Sequence, residues 1–136
     1  MSQNLSLVQY QADEKGNLYD DNSNIIESAF ITPQLIDLIE KEKLLEDKSL
    51  LEETGTMESF DVKCIENSSL NKALSILENE YVSHVLEAAN KLKSVFNSDE
   101  VYSLMNECRT ITNLQHVIKL KKDKFEHNPN VVLKLG

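Results

Sequence analysis

Tryptophan is absent from this chain, glycine occurs three times, proline and cysteine twice each, and arginine once, at Arg109. Each shortage excludes something. With so few turn formers, a fold made of many tight β-turns is disfavoured, and helices joined by polar loops are expected. With aromatics at 6%, the core has to be built mainly from Leu, Ile and Val. The isolated glycines Gly16, Gly55 and Gly136 cannot supply a loop whose amide groups cradle a phosphate, so nucleotide chemistry is disfavoured. Cys64 and Cys108 lie far apart without a CxxC, which fits two buried structural thiols in the reducing interior of a cell.

Long apolar runs are missing as well. The longest are pairs and triplets, against the roughly 20 residues of a membrane span, so a soluble chain with no membrane partner is expected. The opening MSQNLSLVQYQADEKG has neither a basic start nor an apolar block, so no secretory signal is read. The expected location is intracellular, cytoplasmic or nuclear. Apolar residues at 40% and charged residues at 27% are ordinary for a folded domain, and 136 residues is a one-domain length.

What is present in excess is negative charge, and it is unevenly placed. The net charge is −9; residues 1–61 hold 14 acidic side chains against four lysines, and residues 62–136 hold 10 basic against nine acidic. An acidic half repels phosphate backbones and attracts basic surfaces, so nucleic acid is an unlikely partner for the whole chain. Glu40, Glu46, Asp47, Glu52 and Glu53 are the expected contacts for a protein with a basic surface.

Along the chain, residues 1–30 read as an acidic polar arm or a weak hairpin turning at Lys15 and Gly16, and residues 31–136 as one helical domain with a short extended tail. A first helix starts with Thr32 as cap, Pro33 at the first helical position and Ile31 stapling onto Ile36; its end falls between Lys43 and Glu53, before Gly55. Phe60 to Ile65 alternates like a short strand. The longest helical signal runs from Ser68 to Phe96, capped within Asn67 to Ser69. Its stripe is Leu70, Leu74, Leu77, Tyr81, Val85, Ala88, Leu92 and Val95.

Two shorter helices are expected next. One starts at Asn97 or Ser98, with Asn97 and Glu100 in capping-box spacing, buries Val101, Leu104 and Met105, and ends near Arg109. The other runs from Thr112 to Phe125, with Thr112 and Gln115 in the same spacing and Leu114, Val117, Ile118 and Lys121 inward. Asn128 and Pro129 break it, and NVVLKL then alternates like a strand. The fold class expected is therefore mainly α, a small helical bundle on one long central amphipathic helix with β-prone ends, the alternative being a small α+β domain in which the end strands pair within the chain.

No spacing reaches the strength of a catalytic, cofactor or metal motif. Cys108 and His116, eight positions apart, are an unspecific pair, and the cysteines and histidines are scattered singly. Adjacent acids at Asp20 and Asp21, Glu52 and Glu53, and Asp99 and Glu100 are explained by solvation and helix dipoles. DEKGNLYDDNSNIIE misses the register of a calcium loop. No catalytic residue, cofactor or metal is assigned, and the chain is not expected to be an enzyme.

Two surface readings are left. In one, Ser98 to Phe125 is a helix-turn-helix whose Asn113, Gln115, His116 and Lys119 face bases while Lys121, Lys122 and Lys124 meet phosphates. RTITNLQHVIKL, Arg109 to Leu120, faintly resembles the loop and last helix of histone-fold proteins, a likeness of barely a dozen residues that implies a DNA-associated regulator. In the other, the chain is a non-catalytic protein–protein interaction domain, an adaptor or small subunit of an assembly, with homo-oligomers left open and LSLVQY and NVVLKL able to add as strands to a partner sheet. The second reading is the expectation.

Overall fold

The computed structural model describes residues 3–52, 58–94 and 98–136, which form both strands and helices. In order they are β1 (Gln3–Ala12), β2 (Leu18–Ile31), α1 (Pro33–Lys41), β3 (Leu45–Leu51), β4 (Ser59–Ile65), α2 (Leu70–Ser94), α3 (Ser98–Lys124) and β5 (Val131–Leu135). The strands close a five-stranded barrel in sequence order, β5 pairing back onto β1. All neighbours are antiparallel except β2 and β3, which run parallel through a single pairing of Tyr19 with Leu51, with α1 as the crossover between them. The mainly α helical bundle expected from composition is thus corrected: a closed barrel organises the chain, and the helices are its cover.

Shortage of glycine misleads because this barrel needs few tight turns. The β2–β3 connection is α1, and the β4–β5 connection is the helical pair α2 and α3. The β1–β2 turn does use a glycine: Gly16 sits at φ +85°, where a side chain would be strained. Asp13 organises that turn, accepting from the Lys15 and Asn17 backbone amides at 2.9 and 2.8 Å and from Asn17 Nδ2 at 3.0 Å and the Tyr19 hydroxyl at 2.9 Å. Partial burial opposes its ionisation, but these donors win and hold its carboxyl at about 2. The segment read as an arm or weak hairpin forms, from Gln3 onward, two strands of the barrel.

Burial on both faces of β1 and β5 divides the core in two. Val8, Tyr10, Leu18, Leu50, Val62, Cys64 and Val132, drawn from all five strands, fill the barrel interior. Leu5, Leu7, Ala29, Ile31, Val131 and Leu133 face outward and pack with α1, the start of α2 and the second half of α3. Leu5 to Val8 are all buried because both faces of β1 are covered, and the register shift opposite Leu7 and Val8 is taken up by the extra residue Ile26 on β2.

Local chemistry accounts for the remaining differences. The Thr32 hydroxyl caps α1 at the Leu35 amide, 3.3 Å away, with Pro33 in the first turn. The helix ends at Lys41 in a Schellman motif made without glycine: Lys43 takes φ +57°, while Lys43 and Leu44 donate to Glu40 and Ile39. That frees Leu45–Leu51 to be β3. The strand expected at Phe60 to Ile65 and the long helix after it are both found; the expectations resting on Glu53, Gly55, Val95 and Asn97 lie outside the described residues.

The two short helices are one. Thr112 is not a cap, because its hydroxyl donates to the Cys108 carbonyl at 2.9 Å, and Thr110 does the same to Asn106 at 3.2 Å; inside a helix a threonine can satisfy itself on the preceding turn. α2 and α3 are 25 and 27 residues long, rods of about 38 and 40 Å at 1.5 Å per residue. Their barrel-side halves are buried through Leu70, Ala73 and Leu77 and through Ile111, Leu114, Val117 and Ile118; beyond Leu77 and Cys108 the pair projects past the main core.

Leu114→Ala and Leu86→Ala delete the same atoms from the two halves of this hairpin, where exposures are 0% and 60%. In urea denaturation the first should cost about 2–5 kcal/mol and the second less than about 0.5 kcal/mol. Equal losses would contradict the division of the hairpin.

Candidate functional site

The α2–α3 seam repeats as a heptad. On α2 the residues turned toward α3 are Leu77, Tyr81, His84, Ala88 and Lys91, in steps of four, three, four and three. His84 Nε2 lies 2.6 Å from Glu107 Oε2, Lys91 Nζ is 2.7 Å from Glu100 Oε2, and the Cys108 thiol points at the Tyr81 carbonyl at 3.9 Å. These contacts fix α3 antiparallel to α2 and set the level at which each α2 residue meets α3.

One residue further on, α2 carries a second run with the same spacing: Glu78, Val82, Val85, Ala89 and Leu92. A step of one residue turns 100° around a helix, so this run looks along the flank of the hairpin rather than into it. On α3 the matching flank holds Met105 and Thr112, while Tyr102 and Arg109, each two residues on from Glu100 and Glu107, turn to the side away from α2. The groove lined by Leu74, Glu78, Tyr81, Thr112, Gln115 and Lys119 lies on this face, whereas Thr32 and Leu35, at and within the start of α1, lie on the opposite one with His84 and Glu107.

The distal part of this face is bare. Val82 is 49% exposed; Tyr81, Val85, Leu92 and Met105 are exposed too, with Leu86 and, at 68%, Tyr102 beside them. The long stripe read from sequence is therefore buried at its base, where Leu77 is 1% exposed, and beyond it Ala88 stays buried while Tyr81, Val85 and Leu92 are open to solvent. Sequence reasoning named Tyr81, Val85, Leu92 and Met105 as buried and missed Val82, Leu86 and Tyr102; the second heptad run was the signal that could have found Val82.

The other expected site residues are dispersed. Glu40 lies on α1, Glu46 and Asp47 on β3, and Glu52 just after it, all exposed, while Glu53 is outside the described residues. Asp47 pairs with Lys63 at 2.7 Å, and Glu40 lies close enough to add to the rise in the Lys63 pKa that Asp47 causes. On α3, Asn113, Lys119, Lys122 and Lys124 are exposed and Gln115 is half-buried in the groove. Lys121 is 5% exposed and donates to the carbonyls of Phe125 and Asn128 at 2.9 and 3.3 Å, closing the end of the helix and turning away from any phosphate. Because α3 is continuous from Ser98 to Lys124, the turn needed by a helix-turn-helix, and the loop of the histone-fold resemblance, are replaced by helix.

Reactive groups are held in quiet settings. Burial first, then the neighbouring Glu66, pushes the Cys64 thiol up to about 12, and burial followed by Glu107 raises that of Cys108. Burial, with Asp20 and Cys64 beside it, takes the Tyr10 hydroxyl up to about 12. Cys64 borders a cleft of about 350 Å³ that also touches Lys48, Glu66, Lys121 and His127. Among the described residues no group of three His, Cys, Asp or Glu side chains is arranged to hold a metal ion, and no helix is long and apolar enough to cross a membrane.

Comparison with protein-family models, curated proteins and solved structures found no match for this chain.

A thiol whose folded pKa is raised stays protonated where unfolded thiols, at about 8.5, begin to ionise. At pH 8.5 Cys64 should thus react with iodoacetamide only through unfolding, far more slowly than in 6 M guanidinium, and stability should fall as pH rises from about 8.5 toward about 12. Fast labelling of Cys64 in the folded chain would contradict its place inside the barrel.

Proposed function

We propose that this chain is a non-catalytic protein–protein interaction domain, a subunit or adaptor of a larger assembly, in which the barrel is a rigid base and the projecting hairpin is the contact. One observation carries the reading: exposed large apolar side chains are concentrated on the distal half of α2 and α3. Single exposed leucines are ordinary on a protein surface. A cluster of this kind on one projecting element is the mark of a contact surface. The protonated thiols argue in the same direction, since a cysteine nucleophile needs a thiolate.

A weaker second contact, with a basic surface, is proposed at Glu40, Glu46 and Glu52; Asp47 is already paired with Lys63. Both contacts are tested by affinity capture of the tagged full chain from its native cell. Val82→Glu with Leu86→Glu should reduce partner recovery by tenfold or more without changing the circular dichroism spectrum. Glu46→Lys with Glu52→Lys should give a smaller loss, which disappears at high salt. Recovery unchanged by the apolar pair would overturn the reading.

A further inference from the structure

We infer that the bare face of the distal hairpin is closed by a second copy of this chain, α2 lying antiparallel against α2 about a two-fold axis between Val85 and Leu86; the inference rests on the interaction-domain reading and names the partner. α2 shows two heptad runs one residue apart, and a helix with two such runs is the building unit of a four-helix bundle. The first run is filled by α3. The second, at Glu78, Val82, Val85, Ala89 and Leu92, has no cover, Val82, Val85 and Leu92 being exposed.

Any apolar partner would cover valines and leucines. What points to a second copy is the placement of charge. An isologous contact requires that each residue meet the one equally far on the other side of the axis. With the axis between residues 85 and 86, Val82 meets Ala89 of the second copy, Val85 meets Leu86, and Glu78 meets Lys93. Glu78 and Lys93, both exposed, close the two ends of the apolar run with opposite charges about 11 Å from its centre. The apolar centre is thus Val82 with Ala89 and Val85 with Leu86, the ends are the two Glu78–Lys93 pairs, and Leu92 lies over Asn79 beside them.

α3 obeys the same axis. The His84–Glu107 and Lys91–Glu100 pairs put the middle of the α2 run level with Met105 and Asn106. An axis at that level sets Met105 against its own neighbourhood in the second copy, with Tyr102 and Arg109 level with each other at the rim. The barrel lies at the base of each hairpin, and the distal segment beyond the axis spans about 13 Å, so the tip of one copy ends near the barrel of the other. The exposed apolar side chains of this face, Val82, Val85, Leu92 and Met105 with Leu86 at its edge, supply area of several hundred Å², a sizeable part of one side of a specific interface at about 800 Å².

The test is sedimentation of the full-length chain between 1 and 100 μM in low salt, with charge reversal and its swap. The wild type should be a dimer; Glu78→Lys and Lys93→Glu, each of which sets like charges together twice, should each weaken self-association by about tenfold. The double variant, in which the same pairs form with signs exchanged, should return within about threefold of wild type. A monomeric wild type at 100 μM, or a double variant no better than the singles, overturns the inference. A photo-crosslinking residue at Ala89 in the native cell separates this from the broader reading. An adduct between two copies supports the dimer; an adduct only with a different protein overturns it and leaves the interaction reading standing, and no adduct at all overturns both.

Discussion

Leu5 and Leu7 of β1 and Val131 and Leu133 of β5 point outward from a barrel whose interior is already filled, and an outward row of leucine and valine has to be covered. That requirement sets the rest of the molecule. The cover cannot come from the sheet, which is closed. It comes from the long insertion between β4 and β5, whose first and last turns bring Leu70, Ala73 and Leu77 and then Leu114, Val117 and Ile118 across the strands. At roughly 1.5–3 kcal/mol for each large side chain removed from water, this shared layer joins barrel and helices into one body, since neither surface is stable without the other.

The same layer explains why half of the hairpin has nothing beneath it. A rod of about 38 Å is longer than the face it covers, so beyond Leu77 and Cys108 the helices meet each other and, on one side, the start of α1. Two helices can bury one seam between them. The additional apolar run on α2, with Tyr102 and Met105 beside it, is then surplus to the needs of the isolated chain, and it is this surplus that supports an interaction role. Elsewhere burial keeps two thiols protonated and the amine of Lys121 is tied to carbonyls at a helix end.

How much of this could be read from sequence depends on how local each cause is. The Thr32 and Pro33 start of α1, the alternation from Phe60 to Ile65 and the period of α2 are local, and they were legible. LEDKSLL has poor alternation, Leu45 and Leu50 falling out of phase, and it becomes β3 because β4 pairs along its whole length. Lys43 ends α1 in a conformation that glycine would have announced, and Thr112 imitated a cap while bonding to its own preceding turn. The barrel itself was hidden by its connections: a rule that strands need glycine-rich turns fails when helices join them. For the site, Val85 and Leu92 were found but placed inward, because periodicity gives the face of a helix and leaves open whether a partner in the same chain reaches it.

The claim on which the account rests is that barrel and proximal hairpin share a single core. Native-state hydrogen exchange tests it most directly, by comparing the opening free energies of β1 amides from Leu5 to Val8 with those of α3 from Leu114 to Ile118 as denaturant is raised. A shared core predicts that both sets converge on one global unfolding isotherm with a common slope. Two separate isotherms, with the strands exchanging while the proximal helix turns stay protected, would show two independent units and contradict the account.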